Sequence, residues 1–219
     1  MIDLYAWKTP ESFKASIMLE ELDMNYCVNP VDITQGEQNI SDFRALSPNG
    51  EIPVIVDNTS DVDRVFEPGA ILLYLAEKAG KLLPPDPIPR AETFAWMFFE
   101  ANHLRPMTDQ MHHFDHEESD APESVKSRFR DEVLRLLEVL NGRLGFHPYL
   151  AGMEYSIADI ANYPRARFAV TEMERHDPDA IAALEPLKSW LNRIEQRPAV
   201  QRGVAVPTEE TMAEVSEPQ

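Results

Sequence analysis

The fold of this chain is decided by the stretch Ser47–Asp57, which reads SPNGEIPVIVD. Its second half, Ile52–Val56, is an apolar run that predicts a β-strand. A further strand is predicted at Arg64–Phe66. The segment that follows, Gly69–Ala79, has apolar side chains at helical spacing and predicts a helix. Together these segments predict two strands followed by a helix.

The residues before this stretch predict a strand, a helix and another strand. Ile2–Trp7 begins with alternating apolar and polar side chains, as expected of a strand. Thr9, Pro10 and Glu11 form a helix start, so a helix is expected through about Leu22. A strand and a short helix are expected next, at Tyr26–Asp32 and Ser41–Leu46. The order βαβ, then ββα, predicts an α/β domain with a mixed four-stranded sheet covered by helices.

Prolines mark the predicted domain boundary. The segment 82–89 holds four prolines, which fit neither a helix interior nor a central strand. Every long segment beyond it is helical in pattern: Arg90–Leu104, Met107–Phe114, Pro122–Leu144 and Leu184–Arg197. A helix start is also predicted at Ser156, with Asp159 placed for a reciprocal cap. We therefore expect a domain at 1–81, a linker at 82–89, an all-helical domain at 90–203 and an acidic frayed tail at 204–219.

The charge balance argues against nucleic acid and anionic membranes as partners. Lys and Arg number 20 against 38 Asp and Glu, a formal charge of −18, and such a field repels both. No apolar run approaches the ~20 residues that span a bilayer, and the first residues lack a signal-peptide pattern. We expect no membrane association and a cytoplasmic location. The single cysteine, Cys27, forms no intramolecular disulfide, and its strand-like setting predicts a packed thiol.

Motifs across the chain resemble those of the cytosolic glutathione transferases. Besides the stretches above, the resemblance rests on Met1–Tyr5, Gly36–Gln38, Ala70–Lys78, His112–Phe114 and Tyr155–Ile160. These motifs are most similar to the bacterial Nu-class and the related fungal prion-like branch. The resemblance implies a thioredoxin-like N-terminal domain, glutathione as substrate or cosubstrate, no metal and a homodimer. It also implies conjugation of a small apolar molecule or reduction of a disulfide.

The resemblance places a glutathione site at Ser47–Asp57 and at the stretch Phe66–Leu75, which reads FEPGAILLYL. The bond before Pro53 is expected to be cis, which only an X-Pro bond adopts at low cost. This turns the backbone of Ile52 outward to pair with the cysteinyl part of glutathione like an added strand. Glu67 matches the acid that accepts the γ-glutamyl ammonium, and Gln38 the amide that reaches the glycine carboxylate; either is alternatively a solvated surface residue. Thr9 matches the threonine that donates a hydrogen bond to the thiolate, or it merely caps its helix.

Three positions depart from the family's pattern, and each opposes tight glutathione binding. Pro68 replaces a serine that gives its hydroxyl and its N–H to the γ-glutamyl carboxylate, a loss of roughly 3 kcal/mol or about a hundredfold in affinity. Proline is also simply favoured in the first turn of a helix. Glu51 stands where Nu-class proteins usually carry a lysine that pairs with a ligand carboxylate. Glu11 replaces an asparagine near the sulfur, where an acid opposes a thiolate but favours the helix dipole.

Two further groups of residues are candidates for function. The family layout implies an apolar second-substrate pocket between the domains, lined by His103, Met107, Met111, Tyr163 and Phe168. Methionines and aromatics suit a tolerant apolar pocket. A histidine group comprises His103, His112, His113 and His116, followed by Glu117 and Glu118. His112 and His116 are one helical turn apart, but no cysteine or Glu-x-x-His arrangement supports zinc, so we expect a solvated or pocket-lining role and no metal.

The residues leave more than one function open. The first is a glutathione-dependent enzyme in which Thr9 steers the sulfur and Glu67 anchors the peptide. The second is a non-catalytic binding or regulatory protein that has lost glutathione affinity through Glu11, Glu51 and Pro68. A third is a site for a different, cationic thiol or peptide, because acids have replaced hydrogen-bond donors.

Overall fold

The computed structural model describes residues 1–60 and 64–216, and the chain divides into two units. The first unit comprises Met1–Lys81 with Gln196–Gln219, and the second comprises Leu82–Glu195. Among the described residues, no helix combines the length and the apolar character needed to cross a membrane.

The first unit is built on a four-stranded mixed sheet. Its strands are β1 (Ile2–Ala6), β2 (Tyr26–Pro30), β3 (Val54–Asp57) and β4 (Val65–Phe66), in the order β2-β1-β3-β4. β1 is parallel to β2 and antiparallel to β3, and β4 is antiparallel to β3. Alternate side chains of β1 are buried, as the two-residue period of a strand requires. The predicted thioredoxin-like α/β class of this part is confirmed.

The helices that follow the strands of this unit lie close to their predicted positions. They are α1 (Pro10–Glu21), α2 (Ser41–Leu46) and α3 (Pro68–Ala79), with a 3₁₀ turn at Glu37–Asn39 before α2. Thr9 caps α1, because its Oγ1 accepts the N–H of Ser12 at 3.2 Å. α3 ends at Gly80, whose left-handed backbone (φ +64°) is typical of glycine after a helix.

Cys27 lies on β2, but its thiol is exposed, so the expected packed thiol is wrong. Cys27 is paired with Asp3 of β1, so its side chain lies on the sheet face opposite to the buried Ile2 and Leu4. The Sγ of Cys27 lies 3.6 Å from the Sδ of Met1, which is itself exposed.

The second unit is mostly helical, as predicted. α4 (Pro87–Phe99) and α5 (Arg105–His112) are joined by a π-helical turn at Glu100–Leu104, and a second π-helical turn at His113–Glu117 follows α5. The remaining helices are α6 (Glu123–Leu144), α7 (Ile157–Met173), α8 (Pro178–Ala182) and α9 (Glu185–Glu195).

The proline-rich linker ends earlier than the predicted 82–89. α4 begins at Pro87 rather than at Arg90, so Pro87 and Pro89 both lie in its first turn. Proline is tolerated there because the first N–H groups of a helix have no partner within the helix. The linker is therefore confined to the residues before Pro87.

The predicted cap of α7 is confirmed and organises the interior of the second unit. Ser156 and Asp159 form a capping box. The carboxylate of Asp159 accepts the N–H groups of Ser156 and Leu150, both at 3.0 Å, and the indole N–H of Trp190 at 2.9 Å. Burial raises the pKa of Asp159 to about 6, although these donors act in the opposite direction.

The C-terminal residues belong to the first unit, which corrects the predicted boundary at 203. α10 (Pro198–Gly203) packs on α1 so closely that a Cβ at Gly203 would lie 2.6 Å from the Cα of Ile17. Glycine is required for this approach. The last helix, α11 (Glu209–Ser216), contacts β2. The predicted acidic tail is thus helical at Glu209–Ser216, its fraying stays a prediction, and its last three residues lie outside the described part.

Candidate functional site

The stretch Ser47–Asp57 and the start of the stretch Phe66–Leu75 meet on the surface of the first unit. They line one small pocket with Ser47, Glu51, Ile52, Pro53, Phe66, Glu67 and Pro68. These residues lie together because β3 pairs with β4, with Val54 opposite Phe66. The residues just before β3 are therefore neighbours of the residues just after β4.

The loop before β3 presents backbone groups at this pocket. The peptide bond between Ile52 and Pro53 is cis, as predicted. Ser47 braces the loop, since its Oγ donates to the carbonyl of Glu51 at 2.8 Å and accepts the N–H of Glu51 at 3.1 Å. Within the described residues, the N–H and C=O of Ile52 pair with no other backbone group. An extended peptide can hydrogen-bond to them as an added strand.

Glu67 precedes α3 in an unusual backbone conformation. Its φ of 69° and ψ of 122° lie where residues with a Cβ are rarely found, at a cost of about 1–3 kcal/mol. The side chain is exposed and makes no capping hydrogen bond to α3. The carboxylate is therefore available to a cationic group of a ligand.

Pro68 is buried at the first position of α3 and has no N–H. The N–H of Ile71 donates to the carbonyl of Glu67 at 3.0 Å. The N–H groups of Gly69 and Ala70 are therefore the ones at the N-terminus of α3 that have no partner within the helix. Both residues are exposed. Together with the helix dipole they favour a carboxylate, although with fewer donors than a serine at position 68 would give.

Thr9 uses its hydroxyl within its own helix. Its Oγ1 donates to the Oγ of Ser12 at 3.3 Å and accepts the N–H of the same residue. The N–H of Trp7 in turn donates to Ser12 at 3.3 Å, which orders the β1–α1 connection. Thr9 therefore caps α1, and contact with a ligand sulfur requires its hydroxyl to turn away from Ser12.

Glu11 is not an isolated acid. Its carboxylate lies 2.7 Å from the ammonium of Lys14, and the two residues are only 6% and 1% exposed. A cation at this distance offsets most of the field of the carboxylate. The opposing effect of Glu11 on a thiolate stays a prediction, and in this structure its carboxylate acts together with the ammonium of Lys14.

Gln38 lies on the 3₁₀ turn, next to the loop before β3. Its backbone carbonyl and the Cζ of Arg44 both lie 3.2 Å from the position that a Cβ at Gly50 would take. Gly50 also has a φ of +70°, so both space and backbone conformation favour glycine. The Oε1 of Gln38 is buried and has no hydrogen-bond partner in the described part of the chain.

Arg44 is a cation near the site that the sequence reasoning missed. It is exposed on α2, and its guanidinium donates to the carbonyl of Pro48 at 3.5 Å. Its Cζ also lies 3.2 Å from the position of a Cβ at Gly50, so the positive charge is beside the residue that precedes Glu51, where it attracts carboxylates. The only signal in the sequence is a basic residue shortly before the turn at residues 47–50, and its meaning depends on how α2 folds back.

The five residues predicted to line a second-substrate pocket all lie in the second unit, in different settings. His103 is exposed, Met107 and Phe168 are half-buried, and Met111 and Tyr163 are buried. The ring of Tyr163 packs edge-on against Trp190. Met107 contributes to an open groove of about 850 Å³ along α5 and α6, and the other four do not line it. The grouping of the five into one pocket stays a prediction.

The histidine group separates into two parts. The Nε2 of His116 lies 2.6 Å from the Oε2 of Glu172 on α7, and the Nδ1 of His112 lies 3.7 Å from the same oxygen. His113 instead pairs with Glu117 at 2.7 Å, and this hydrogen bond raises the pKa of His113. Glu172 could not be assigned to the group from the sequence, because it lies on a different helix.

The chain belongs to the glutathione S-transferase family. The family model of the glutathione S-transferase N-terminal domain matches residues 2–77, and that of the C-terminal domain matches residues 93–198. The family predicted from the motifs is thereby confirmed.

Similar proteins match over nearly the whole chain. The disulfide-bond oxidoreductase YfcG of Escherichia coli (strain K12) is 41% identical over 206 residues, which are 91% of this chain and 92% of that protein. A glutathione transferase from Pseudomonas putida, solved with one glutathione disulfide bound per subunit, has a TM-score of 0.88 and 36% identity over 94% of this chain and 91% of its own. Ure2p in complex with glutathione has a TM-score of 0.85 and 27% identity over 93% of each chain. The ligands named for these two structures are glutathione disulfide and glutathione, and neither is a metal.

Proposed function

We propose that the protein is a glutathione-dependent enzyme that reduces disulfides or conjugates small apolar electrophiles. The observation that carries the proposal is the backbone of Ile52 beside Glu67 in one pocket. Disulfide reduction is supported by the oxidoreductase name of YfcG and by the glutathione disulfide bound to the Pseudomonas putida relative.

In the proposed complex, each part of glutathione meets a group of matching chemistry. The cysteinyl backbone pairs with the N–H and C=O of Ile52, and the γ-glutamyl ammonium lies at the carboxylate of Glu67. The γ-glutamyl carboxylate lies at the amides of Gly69 and Ala70. The glycine carboxylate lies towards Gln38 and Arg44, where Arg44 supplies the cation that Glu51 does not.

The sulfur is directed to the N-terminus of α1. The helix dipole there favours the thiolate, and the hydroxyl of Thr9 donates a hydrogen bond to it after turning from Ser12. Lowering a thiol pKa from ~8.5 by two units requires only ~2.7 kcal/mol, which one charge-assisted hydrogen bond and a dipole supply. The neutral pair of Glu11 and Lys14 leaves this stabilisation intact.

Disulfide reduction then proceeds by two exchanges. The glutathione thiolate attacks one sulfur of the substrate disulfide, forms a mixed disulfide and expels the other sulfur as a thiolate, which takes up a proton. A second glutathione thiolate attacks the glutathione sulfur of the mixed disulfide. The products are glutathione disulfide and two substrate thiols, so two electrons pass from two glutathione molecules to the substrate.

The homodimer, the cytoplasmic location and the apolar pocket of His103, Met107, Met111, Tyr163 and Phe168 are parts of the same proposal. The family membership supports them. Light scattering on the purified protein tests the dimer, with a mass of twice 24.9 kDa expected and a monomer contradicting it.

A non-catalytic binding or regulatory protein is the second candidate function. Pro68 favours it, since a buried proline at the start of α3 removes a hydroxyl and an N–H from the position nearest the γ-glutamyl carboxylate. Two lost hydrogen bonds to a charged group weaken affinity by about a hundredfold.

The test is glutathione-dependent reduction of bis(2-hydroxyethyl) disulfide by the wild type and by Glu67→Gln. The amide keeps the shape but loses the charge, so kcat/KM is expected to fall about tenfold or more. Glu174→Gln, at an exposed position after α7, is the matched control and is expected to retain wild-type activity. No turnover by the wild type favours the second candidate, and full activity of Glu67→Gln places the ammonium elsewhere.

A further inference from the structure

A cluster of three metal-ligating side chains lies in the second unit. It consists of His112, His116 and Glu172, each of which offers one ligand atom within 4.8 Å of the others. We call it the histidine–carboxylate cluster. Glu172 is 4% exposed, whereas the two histidine side chains are each 41% exposed. The carboxylate therefore lies in the interior, and the two imidazoles lie between it and the solvent.

The π-helical turn at His113–Glu117 explains why the two histidines align. A π-helix has more residues per turn than an α-helix, so side chains four residues apart lie almost on one line along the helix. The ring centroids of His112 and His116 are 4.5 Å apart. Phe168 packs edge-on against His112 at 5.4 Å and limits the rotation of that ring. π-Helical turns of this kind are frequently found at functional sites.

A single carboxylate oxygen faces two imidazole nitrogens. The Oε2 of Glu172 lies 2.6 Å from His116 Nε2 and 3.7 Å from His112 Nδ1. His112 Nδ1 is buried and has no hydrogen-bond partner in the part of the chain that the structure describes. A buried polar atom without a partner is rare and calls for a ligand or an ion.

We infer that the histidine–carboxylate cluster binds a divalent transition-metal ion, with His112, His116 and Glu172 as ligands. Two imidazoles and one carboxylate suit Zn²⁺, Ni²⁺ and Cu²⁺ rather than Mg²⁺ or Ca²⁺. A tetrahedral ion with bonds of about 2.1 Å needs its ligand atoms about 3.4 Å apart. The two distances to the Glu172 oxygen bracket that value, so small side-chain rotations form the site. Water fills the fourth position.

The charges around the cluster allow a cation to bind. Arg175 donates to the Oε1 of Glu172 at 2.9 Å, which leaves Oε2 for the metal. The side chain of Arg175 is 58% exposed, so solvent screens its charge. His113 pairs with Glu117 and Glu118 and does not face the cluster. The formal charge of −18 raises the local concentration of divalent cations.

The experiment is calorimetric titration of the full-length, tag-free chain with Zn²⁺, repeated with Co²⁺ while its visible absorption is recorded. One ion per chain is expected, with the intense d–d bands of low-symmetry Co²⁺. His116→Ala and Glu172→Gln are expected to weaken Zn²⁺ binding by 10-fold to 100-fold or more. His113→Ala, a neighbouring histidine on the same turn, and Cys27→Ser, the exposed thiol, are the controls and keep wild-type affinity.

Four results decide the matter. Selective loss in His116→Ala and Glu172→Gln, with their circular dichroism unchanged, supports the site. If His116→Ala unfolds, Glu172→Gln and His112→Gln supply the same comparison. Wild-type affinity in the cluster variants overturns the inference, and so does the absence of any Zn²⁺ binding at millimolar concentration. Loss confined to Cys27→Ser or His113→Ala places the ion elsewhere and also overturns it.

Discussion

Replacing Glu67 by glycine is expected to stabilise the fold and to remove ligand binding in the same step. Glu67 has a φ of 69° and a ψ of 122°, a region that disfavours any residue with a Cβ. Glycine adopts this region without the steric cost of about 1–3 kcal/mol. Glu67→Ala is the matched control, because it also loses the carboxylate but keeps the Cβ.

The net magnitude follows from two opposing terms. Glycine gives the unfolded chain more freedom, which costs about 0.5–1 kcal/mol on folding. The difference leaves Glu67→Gly about 1 kcal/mol more stable than Glu67→Ala, or about 2–4 °C in thermal midpoint for a chain of this size. The side chain of Glu67 is exposed and caps nothing, so its loss alone changes stability little.

Urea denaturation of both variants measures the difference in stability, and calorimetric titration with glutathione measures binding. Both variants are expected to lose affinity at least tenfold, since each lacks the acceptor for the ammonium. A glycine variant that is no more stable than the alanine variant refutes the claim that the backbone at this residue is strained. Unchanged affinity in both refutes the role of the carboxylate.

Three further predictions concern neighbouring and buried charges. Pro68→Ser combined with Glu51→Lys restores two hydrogen-bond donors and a cation, so glutathione affinity is expected to rise about a hundredfold or more. Calorimetric titration measures the change, and an unchanged dissociation constant contradicts the assigned positions of the glutathione carboxylates. Lys14→Met removes the ammonium beside the buried Glu11 carboxylate and is expected to lower the free energy of unfolding in urea by about 3–5 kcal/mol. Adding Glu11→Leu is expected to recover most of that loss. An equal loss in the double and the single variant contradicts a stabilising ion pair between Glu11 and Lys14. Burial raises the pKa of Asp159 from 3.8 to about 6, so between these pH values the folded chain holds a proton that the unfolded chain releases. The free energy of unfolding, relative to that of Asp159→Asn, is therefore expected to rise by up to about 3 kcal/mol as pH falls from 7 to 4. Parallel pH profiles of the two proteins contradict this.

Local patterns predicted the elements and caps because the physics that forms them is local. Thr9 before Pro10 predicted the start of α1, and the Ser156–Asp159 box predicted the start of α7. The pairing of β3 with β4 follows from short strands close in sequence, and it places Ile52 near Glu67.

Features set by distant contacts were missed. α10 joins the first unit because Gly203 permits a close approach to Ile17, which lies 186 residues earlier in the chain. The exposure of Cys27 depends on its register with Asp3 of β1, which places its side chain on the face opposite to the buried Ile2 and Leu4. Glu172 meets His116 because α7 packs against α5, which leads into the second π-helical turn, and no local pattern reveals that contact.

Titration of glutathione into the wild-type protein, followed by calorimetry, tests the central claim most directly. The exposed edge at Ile52 and the carboxylate of Glu67 predict a saturable 1:1 heat with a dissociation constant of millimolar or tighter, despite Pro68. A dissociation constant far weaker than millimolar contradicts the proposed glutathione-dependent enzyme.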